Sequence, residues 1–321
     1  MSTSSYPENV QRILADRGLE VACVYRNGPR YWVADVLEHG SHWLLKVVSE
    51  DPALQHLSET GQPVYTVDQL KVEILLYNAL SQRRAAGSIV AAAGGDHSWV
   101  LREHYPGTSM AAGTSPFVFR EDFFEPEHYI AVIDHILEYQ QLTPDLAYIL
   151  GRMPEGAASV LNEKIQGIGL DEAVPWLAGY TDRLRAYAEP LGELHARHVG
   201  TLSHGQVFPP HIYVGHGQVN LIDWENVNFN SKQQDLVALW IRGFDKPKWQ
   251  AAFIEELLIR GFFEQPEGPL MWDLEVLLQS AGNLNYLFRS QLESTAVKKA
   301  AAASLVQNIE NILGGRGLQP A

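Results

Sequence analysis

Leu202-Ser203-His204-Gly205-Gln206-Val207-Phe208-Pro209-Pro210-His211-Ile212-Tyr213-Val214 is the stretch that decides how this chain is read. A turn at His216-Gly217 follows it, then Val219-Asn220-Leu221-Ile222-Asp223-Trp224-Glu225, and further on Asp235-Leu236. Two short β-branched and aromatic runs are thus joined by a glycine turn and preceded by a polar, proline-bearing loop. The pattern predicts a loop-and-hairpin interlude over residues 202–228.

Helices are expected on either side of it. Residues 127–141, 157–165, 171–188 and 191–198 each carry one apolar stripe at helical spacing, as do 232–244, 248–260, 271–288 and 297–313. The first hundred residues read differently. Residues 21–25, 31–37 and 42–48 are short β-type runs punctuated by Asn27-Gly28-Pro29 and His39-Gly40, and 98–105 returns to strand character. Between them, residues 67–84 have helical periodicity through Leu70, Ile74, Tyr77 and Leu80, with Thr66 as an N-cap. The layout is α+β: a β-rich lobe with one helix over residues 1–105, and a helical lobe over 106–321 that contains the loop 202–228. Pro106-Gly107 is the expected hinge.

Lys46 lies inside the apolar run Leu44-Leu45-Lys46-Val47-Val48, where a buried ammonium is costly without a partner. It is read either as a partnered cation or as a side chain snorkelling from a sheet edge. Cys23, the single cysteine, cannot form an internal disulfide and is expected as a buried packing residue in a reducing, cytoplasmic setting. No run of about 18 apolar residues announces a membrane span, and the polar first nine residues do not read as a secretory signal. A net charge of −14 argues against nucleic acid or an anionic membrane as partner. It suits a cationic small molecule, and equally a merely acidic protein.

The ordered set His204-Gly205-Gln206, Pro210-His211, Ile222-Asp223-Trp224-Glu225 and Asp235-Leu236 resembles the signature of the aminoglycoside phosphotransferases and choline kinases. The family pattern is His-Gly-Asp, a Pro-Asn pair whose Asn comes five residues after that Asp, a strand, Ile-Asp-Trp/Phe-Glu and a later Asp-Leu. His195 falls where the family has a histidine before the loop. The resemblance spans about residues 20–245 and implies a protein-kinase-like two-lobed fold that binds ATP and Mg²⁺ and transfers a γ-phosphoryl group to a small-molecule hydroxyl. It places Lys46 on the phosphates with Glu73 as its helix partner, and Glu103 and Tyr105 on the strand that meets the adenine. It assigns Asp223 to the metal, His204 to the structure of the loop, and Asp235 to bracing that loop through backbone hydrogen bonds. Asp223 also has a plainer reading as a turn residue after a buried strand.

Two positions depart from the family. Gln206 stands at the catalytic base, where an amide accepts a hydrogen bond but takes no proton at neutral pH. His211 stands at the metal-binding asparagine, and imidazole suits Mg²⁺ poorly. Transfer is therefore expected to be weak or lost. Two alternatives stay open: a catalytically inactive pseudokinase that binds or regulates a protein partner, and altered chemistry such as nucleotidyl transfer. His195, His198, His204, His211 and His216 are dense, yet their family-matched positions scatter them away from one zinc ion. Trp224, Trp240, Trp272 and Tyr286 are expected in the core, with Trp224 and Trp272 alternatively lining a cation–π acceptor pocket. Glu121, Asp122, Glu125 and Glu127 read as substrate-binding acids or as an ordinary helix start.

Overall fold

The computed structural model describes residues 6–49, 55–57, 63–82, 90–105, 107–113, 115–143, 161, 165, 177, 179–215, 217–289 and 294–318. Pro106, His216, most of 157–165 and the first half of 171–188, all named above, lie outside them. The chain forms two compact units, Met1–Gly107 with Gly215–Asn226, and Thr108–Val214 with Val227–Ala321.

The first unit runs α1 (Glu8–Arg17), β1 (Glu20–Asn27), β2 (Tyr31–Glu38), β3 (Ser41–Val48), β4 (Gln55–Leu57), β5 (Pro63–Tyr65), α2 (Thr66–Gln82), β6 (Val90–Ala93) and β7 (Trp99–Glu103). The sequence pattern does not announce α1, whose buried positions are only Val10, Ile13 and Leu14; Gly18 ends it at φ 65°, in the left-handed region that glycine tolerates. Five strands form one antiparallel sheet in the order β1-β2-β3-β7-β6, so β3 is central. Period-two alternation then sorts its side chains. Leu45 and Val47 pack with Val10, Ile13 and Leu14 on the α1 face. Val48 packs with Leu70 and Ile74 of α2 on the other face, and Lys46 shares that parity.

Cys23 is exposed, contrary to expectation. Its strand β1 is an edge strand whose residues are almost all open to solvent, so an apolar run there is not a buried one.

In the second unit β8 (Thr108–Ser109), α3 (Pro126–Gln141), α4 (Tyr180–Ala188), α5 (Gly192–His198), β9 (Thr201–Ser203) and β10 (Ile212–Gly215) come first. The chain then contributes β11 (Gln218–Leu221) to the first unit and returns through β12 (Asn228–Asn230), α6 (Gln234–Trp240), α7 (Pro247–Ile259), α8 (Gly268–Arg289) and α9 (Thr295–Leu313). Strand β9 pairs antiparallel with β12, Ser203 opposite Asn228, and β10 pairs with β8, Tyr213 opposite Ser109. These two short ladders hold both ends of the segment 204–211.

Trp224 and Trp272 are fully buried, Trp272 within 6.0 Å of the Trp240 ring and 5.6 Å of Phe263. Neither offers a face to a ligand, so the cation–π reading is set aside. Tyr286 is 38% exposed and is not a core residue, because it sits on the outward side of α8. The acidic group is a surface feature of this unit: Glu121 pairs with Lys246 at 2.8 Å, Asp122 with Arg120 at 2.5 Å, and Glu127 occupies the first turn of α3.

His135 on α3 is buried, and its Nε2 has no hydrogen-bond partner among the described residues. Burial pushes its pKa down from 6.5 to about 4. As pH falls, the unfolded chain therefore takes the proton first. Stability is full above pH 6.5 and is lost as pH drops toward 4, by up to about 3 kcal/mol. Urea unfolding at pH 7 and pH 5 should show that loss in the native chain and a smaller one in His135→Leu.

Candidate functional site

In the first unit, Lys46 is the centre of a charged cluster. Its Nζ donates to Glu73 Oε2 at 2.6 Å and to Asp223 Oδ1 at 2.9 Å, and lies 3.9 Å from Glu225 Oε2. It also sits 4.3 Å from the centre of the Tyr31 ring. Parity on β3 aims the ammonium at α2, and Glu73 lies there one helical turn after Leu70, buried to 1% exposure. Tyr77, four residues on, donates its hydroxyl to Glu73 Oε1 at 2.9 Å and fixes the carboxylate. The snorkelling reading of Lys46 fails, since β3 is central and the ammonium points inward.

Burial alone pulls the Lys46 pKa down, but Asp223 and Glu73 outweigh it and hold it well above the ordinary lysine value. The site therefore keeps its cation at every physiological pH. Glu225 goes the other way: burial, then the charge of Asp223, push its carboxyl up.

Asp223 follows β11 with φ 66°, a left-handed backbone that aspartate tolerates better than most residues. That conformation turns its carboxylate back onto Lys46, and the short 3₁₀ turn Trp224–Asn226 continues from it. Trp224 anchors the turn by donating its indole N–H to the Leu221 carbonyl at 3.0 Å. Mg²⁺ takes one or two protein carboxylates and fills its shell with water and phosphate oxygens. Asp223 is a carboxylate of that kind, while Glu225, two residues on, faces Lys46 and Arg30. Among the described residues no group of three or more His, Cys, Asp or Glu side chains is gathered as a metal site.

Glu103 ends β7 opposite Trp43, and its carbonyl accepts from Arg102 at 3.3 Å. Tyr105 is buried, with the Arg102 guanidinium 4.0 Å from its ring centre.

The second unit holds the loop. Asp235, the second residue of α6, is fully buried and collects four donors: Ser203 Oγ at 2.9 Å, the His204 N–H at 2.8 Å, the Gly205 N–H at 3.1 Å and the Tyr139 hydroxyl at 2.5 Å. Burial pushes its carboxyl up while the four hydrogen bonds lower it. Gly205 has φ 81°, which explains the glycine between His204 and Gln206. His204 is fully buried and accepts at Nδ1 from the Gln206 N–H, 3.3 Å. His195 is fully buried on α5, while His198 bonds through Nδ1 to the Leu194 carbonyl.

The two departures from the family pattern touch each other. His211 Nδ1 lies 2.9 Å from the Gln206 carbonyl oxygen, which can only accept, so Nδ1 carries the proton. The His211 ring also stacks on Phe208 at 5.7 Å, and Phe208 in turn faces the Arg242 guanidinium at 4.3 Å. Sequence reasoning missed Tyr139 and Tyr31. The first is nearly a hundred residues from its partner, and nothing in an aromatic-rich strand marks the second.

Solved structures settle what this architecture is. The macrolide 2'-phosphotransferase MphH of Brachybacterium faecium superposes with a TM-score of 0.60 at 15% identity, covering 93% of this chain and 97% of that one. Choline kinase LicA of Streptococcus pneumoniae gives 0.58 at 14% identity, with 95% and 98% covered. This chain has the fold of the aminoglycoside phosphotransferases and choline kinases. A thermostable mutant of aminoglycoside phosphotransferase APH(4)-Ia, in ternary complex with ADP and hygromycin B, shares that kinase-like fold at 0.58 and 12% identity, with 95% and 97% covered. No protein-family model and no curated protein matches the chain by sequence. Among the described residues no helix is long and apolar enough to cross a membrane.

Proposed function

We propose that the chain binds ATP with Mg²⁺ and transfers the γ-phosphoryl group to a hydroxyl of a small molecule, slowly because its base position holds Gln206. The observation that carries this is the buried ammonium of Lys46, held by Glu73 and Asp223 at 2.6 and 2.9 Å. Such a cation has a use where polyphosphate charge must be neutralised. Nucleotide would take Lys46 on its phosphates and the β7 end, Glu103 to Tyr105, against its base. Asp223 would hold the metal, which when bound neutralises charge on the phosphates. The solved neighbours, a macrolide 2'-phosphotransferase, a choline kinase and an aminoglycoside phosphotransferase in complex with hygromycin B, support a small-molecule acceptor.

In the transfer itself the acceptor oxygen attacks the γ-phosphorus, ADP leaves, and the hydroxyl proton passes to the transferred group or to water. Gln206 orients that hydroxyl by accepting its hydrogen bond and does not take the proton. Phosphoryl transfer relies mostly on positioning, so a rate survives. A second reading, a nucleotide-binding module without transfer, is favoured by His211, whose Nδ1 is committed to the Gln206 carbonyl.

ATP at about 100 times its Kd should add about 2.7 kcal/mol, or several degrees of thermal stability. The shift should need Mg²⁺ for its full size and vanish in Lys46→Met. Because that variant leaves Glu73 buried without its cation, its baseline Tm will fall too, and the readout is the ATP-induced increment. No increment in the native chain, with or without Mg²⁺, sinks the nucleotide reading. Phosphorylated acceptor by mass spectrometry separates transfer from binding alone.

A further inference from the structure

A second cation lies beside Lys46. Arg30 sits in the turn between β1 and β2, and that turn is fixed by its backbone. The Gly28 N–H donates to the Tyr31 carbonyl at 3.1 Å, the Ser49 N–H to the Arg30 carbonyl at 2.9 Å, and Ser49 Oγ to the Gly28 carbonyl at 2.8 Å. Pro29 restricts the chain just before Arg30.

The side chain is held as firmly. Arg30 Nη2 donates to Gln69 Oε1 of α2 at 2.5 Å and lies 3.1 Å from Glu225 Oε2. Its guanidinium centre is 5.3 Å from the Tyr31 ring, the same ring that Lys46 Nζ approaches to 4.3 Å. Glu225 Oε2 is within 4 Å of both cations. Arg30 Nε, although buried, has no hydrogen-bond partner among the described residues. A buried guanidinium N–H without an acceptor costs free energy that an anionic ligand would recover.

We propose that Arg30 is a second phosphate-binding cation, poised by Glu225 and Gln69 to close on the nucleotide's phosphates together with Lys46. The inference rests on the nucleotide reading above and extends it to one residue of the turn Asn27-Gly28-Pro29-Arg30. Two cations meeting at one aromatic ring repel each other unless anions stand by. Glu73, Asp223 and Glu225 serve that purpose in the absence of ligand. The planar fork of arginine matches two phosphate oxygens at once, which a lysine cannot do. Of the three carboxylates, Glu225 is the one that both cations share, so it is the one polyphosphate replaces.

The test is calorimetric binding of ATP, ADP and adenosine to the full chain and to Arg30→Gln, Arg30→Lys, Glu225→Gln and Lys46→Met. Arg30→Gln should weaken ATP about 10- to 100-fold while leaving adenosine within a factor of about two. Arg30→Lys should lose less, and Glu225→Gln should bind ATP more tightly. An Arg30→Gln chain that keeps native ATP affinity while Lys46→Met loses it overturns this inference alone. Equal losses for ATP and adenosine would make Arg30 a structural residue and overturn it as well. A native chain that binds no ATP removes the nucleotide reading, and this one with it.

Discussion

Replacing Gln206 by aspartate and His211 by asparagine together is expected to raise phosphoryl transfer by about 10²- to 10⁴-fold, the range general-base help contributes. The expectation depends on the loop keeping its shape through both changes, and the hydrogen bonds say that it will. Gln206 is held through its backbone: its N–H reaches His204 Nδ1 at 3.3 Å and its carbonyl accepts from His211 at 2.9 Å. Neither bond needs the glutamine side chain. An asparagine at 211 has an amide donor of its own for that carbonyl, and adds an oxygen donor better suited to Mg²⁺ than imidazole is. The measurement is product formation with ATP and a panel of hydroxylated amines, macrolides and aminoglycosides, for the native chain and the double variant. A gain of 10²-fold corresponds to about 2.7 kcal/mol off the barrier. A double variant that binds ATP and still transfers nothing would mean that the loop is no longer catalytic machinery and that the chain serves as a binding module.

The largest loss of stability should follow Asp235→Ala. Four donors converge on this carboxylate, and it is buried with Ser203, His204 and Tyr139 around it. Alanine would leave two backbone N–H groups and two hydroxyls to find other acceptors, at about 1–3 kcal/mol for each that stays buried and unpaired. Partial relaxation and water entry bring the expected cost to about 3–5 kcal/mol, a large part of the roughly 5–15 kcal/mol that a folded protein has in reserve. Asp235→Asn should lie between, since its amide keeps one acceptor and presents an –NH₂ where two donors already point. Urea unfolding followed by circular dichroism measures both. A loss below about 1 kcal/mol for the alanine variant would show that the loop stands without its brace.

These two experiments bear on different layers of the same segment. Asp235 governs whether residues 203–206 hold their shape, whereas Gln206 and His211 govern what that shape can do. A protein can keep the first while the second is weakened, and the two experiments separate these cases.

Much of the architecture follows from local pattern. The strands 20–27, 31–38 and 41–48 and the helix 66–82 lie within two or three residues of the runs marked by β-branched and aromatic content, turn residues and period-3.6 spacing. The residues alone said only that Lys46, inside an apolar strand, needs a partner; that the partner is Glu73 was implied by the resemblance, and the structure shows the pair at 2.6 Å. Gly205 entered as part of the family signature, and the structure supplies its reason, a φ of 81° that glycine tolerates. Contacts that join distant segments were not legible in local pattern. Lys46 meets Asp223 across 177 positions and Tyr139 meets Asp235 across 96, and no local rule specifies either pairing. Cys23 looked buried because its run is apolar; only the strand order, with β1 at the edge, exposes it. Arg30 was marked only by its place in the turn Asn27-Gly28-Pro29-Arg30, where the resemblance to a phosphate loop is weakest, yet the fold places it, with Lys46, against one tyrosine ring and one glutamate. The sequence by itself marked most of the strands and helices, since these depend on spacing and residue type, while the reading of residues 204–211 as a loop with two departing residues came from the resemblance to a family pattern. The tertiary structure decided which charges neutralise one another, because desolvation and Coulomb energy depend on distances that only folding sets.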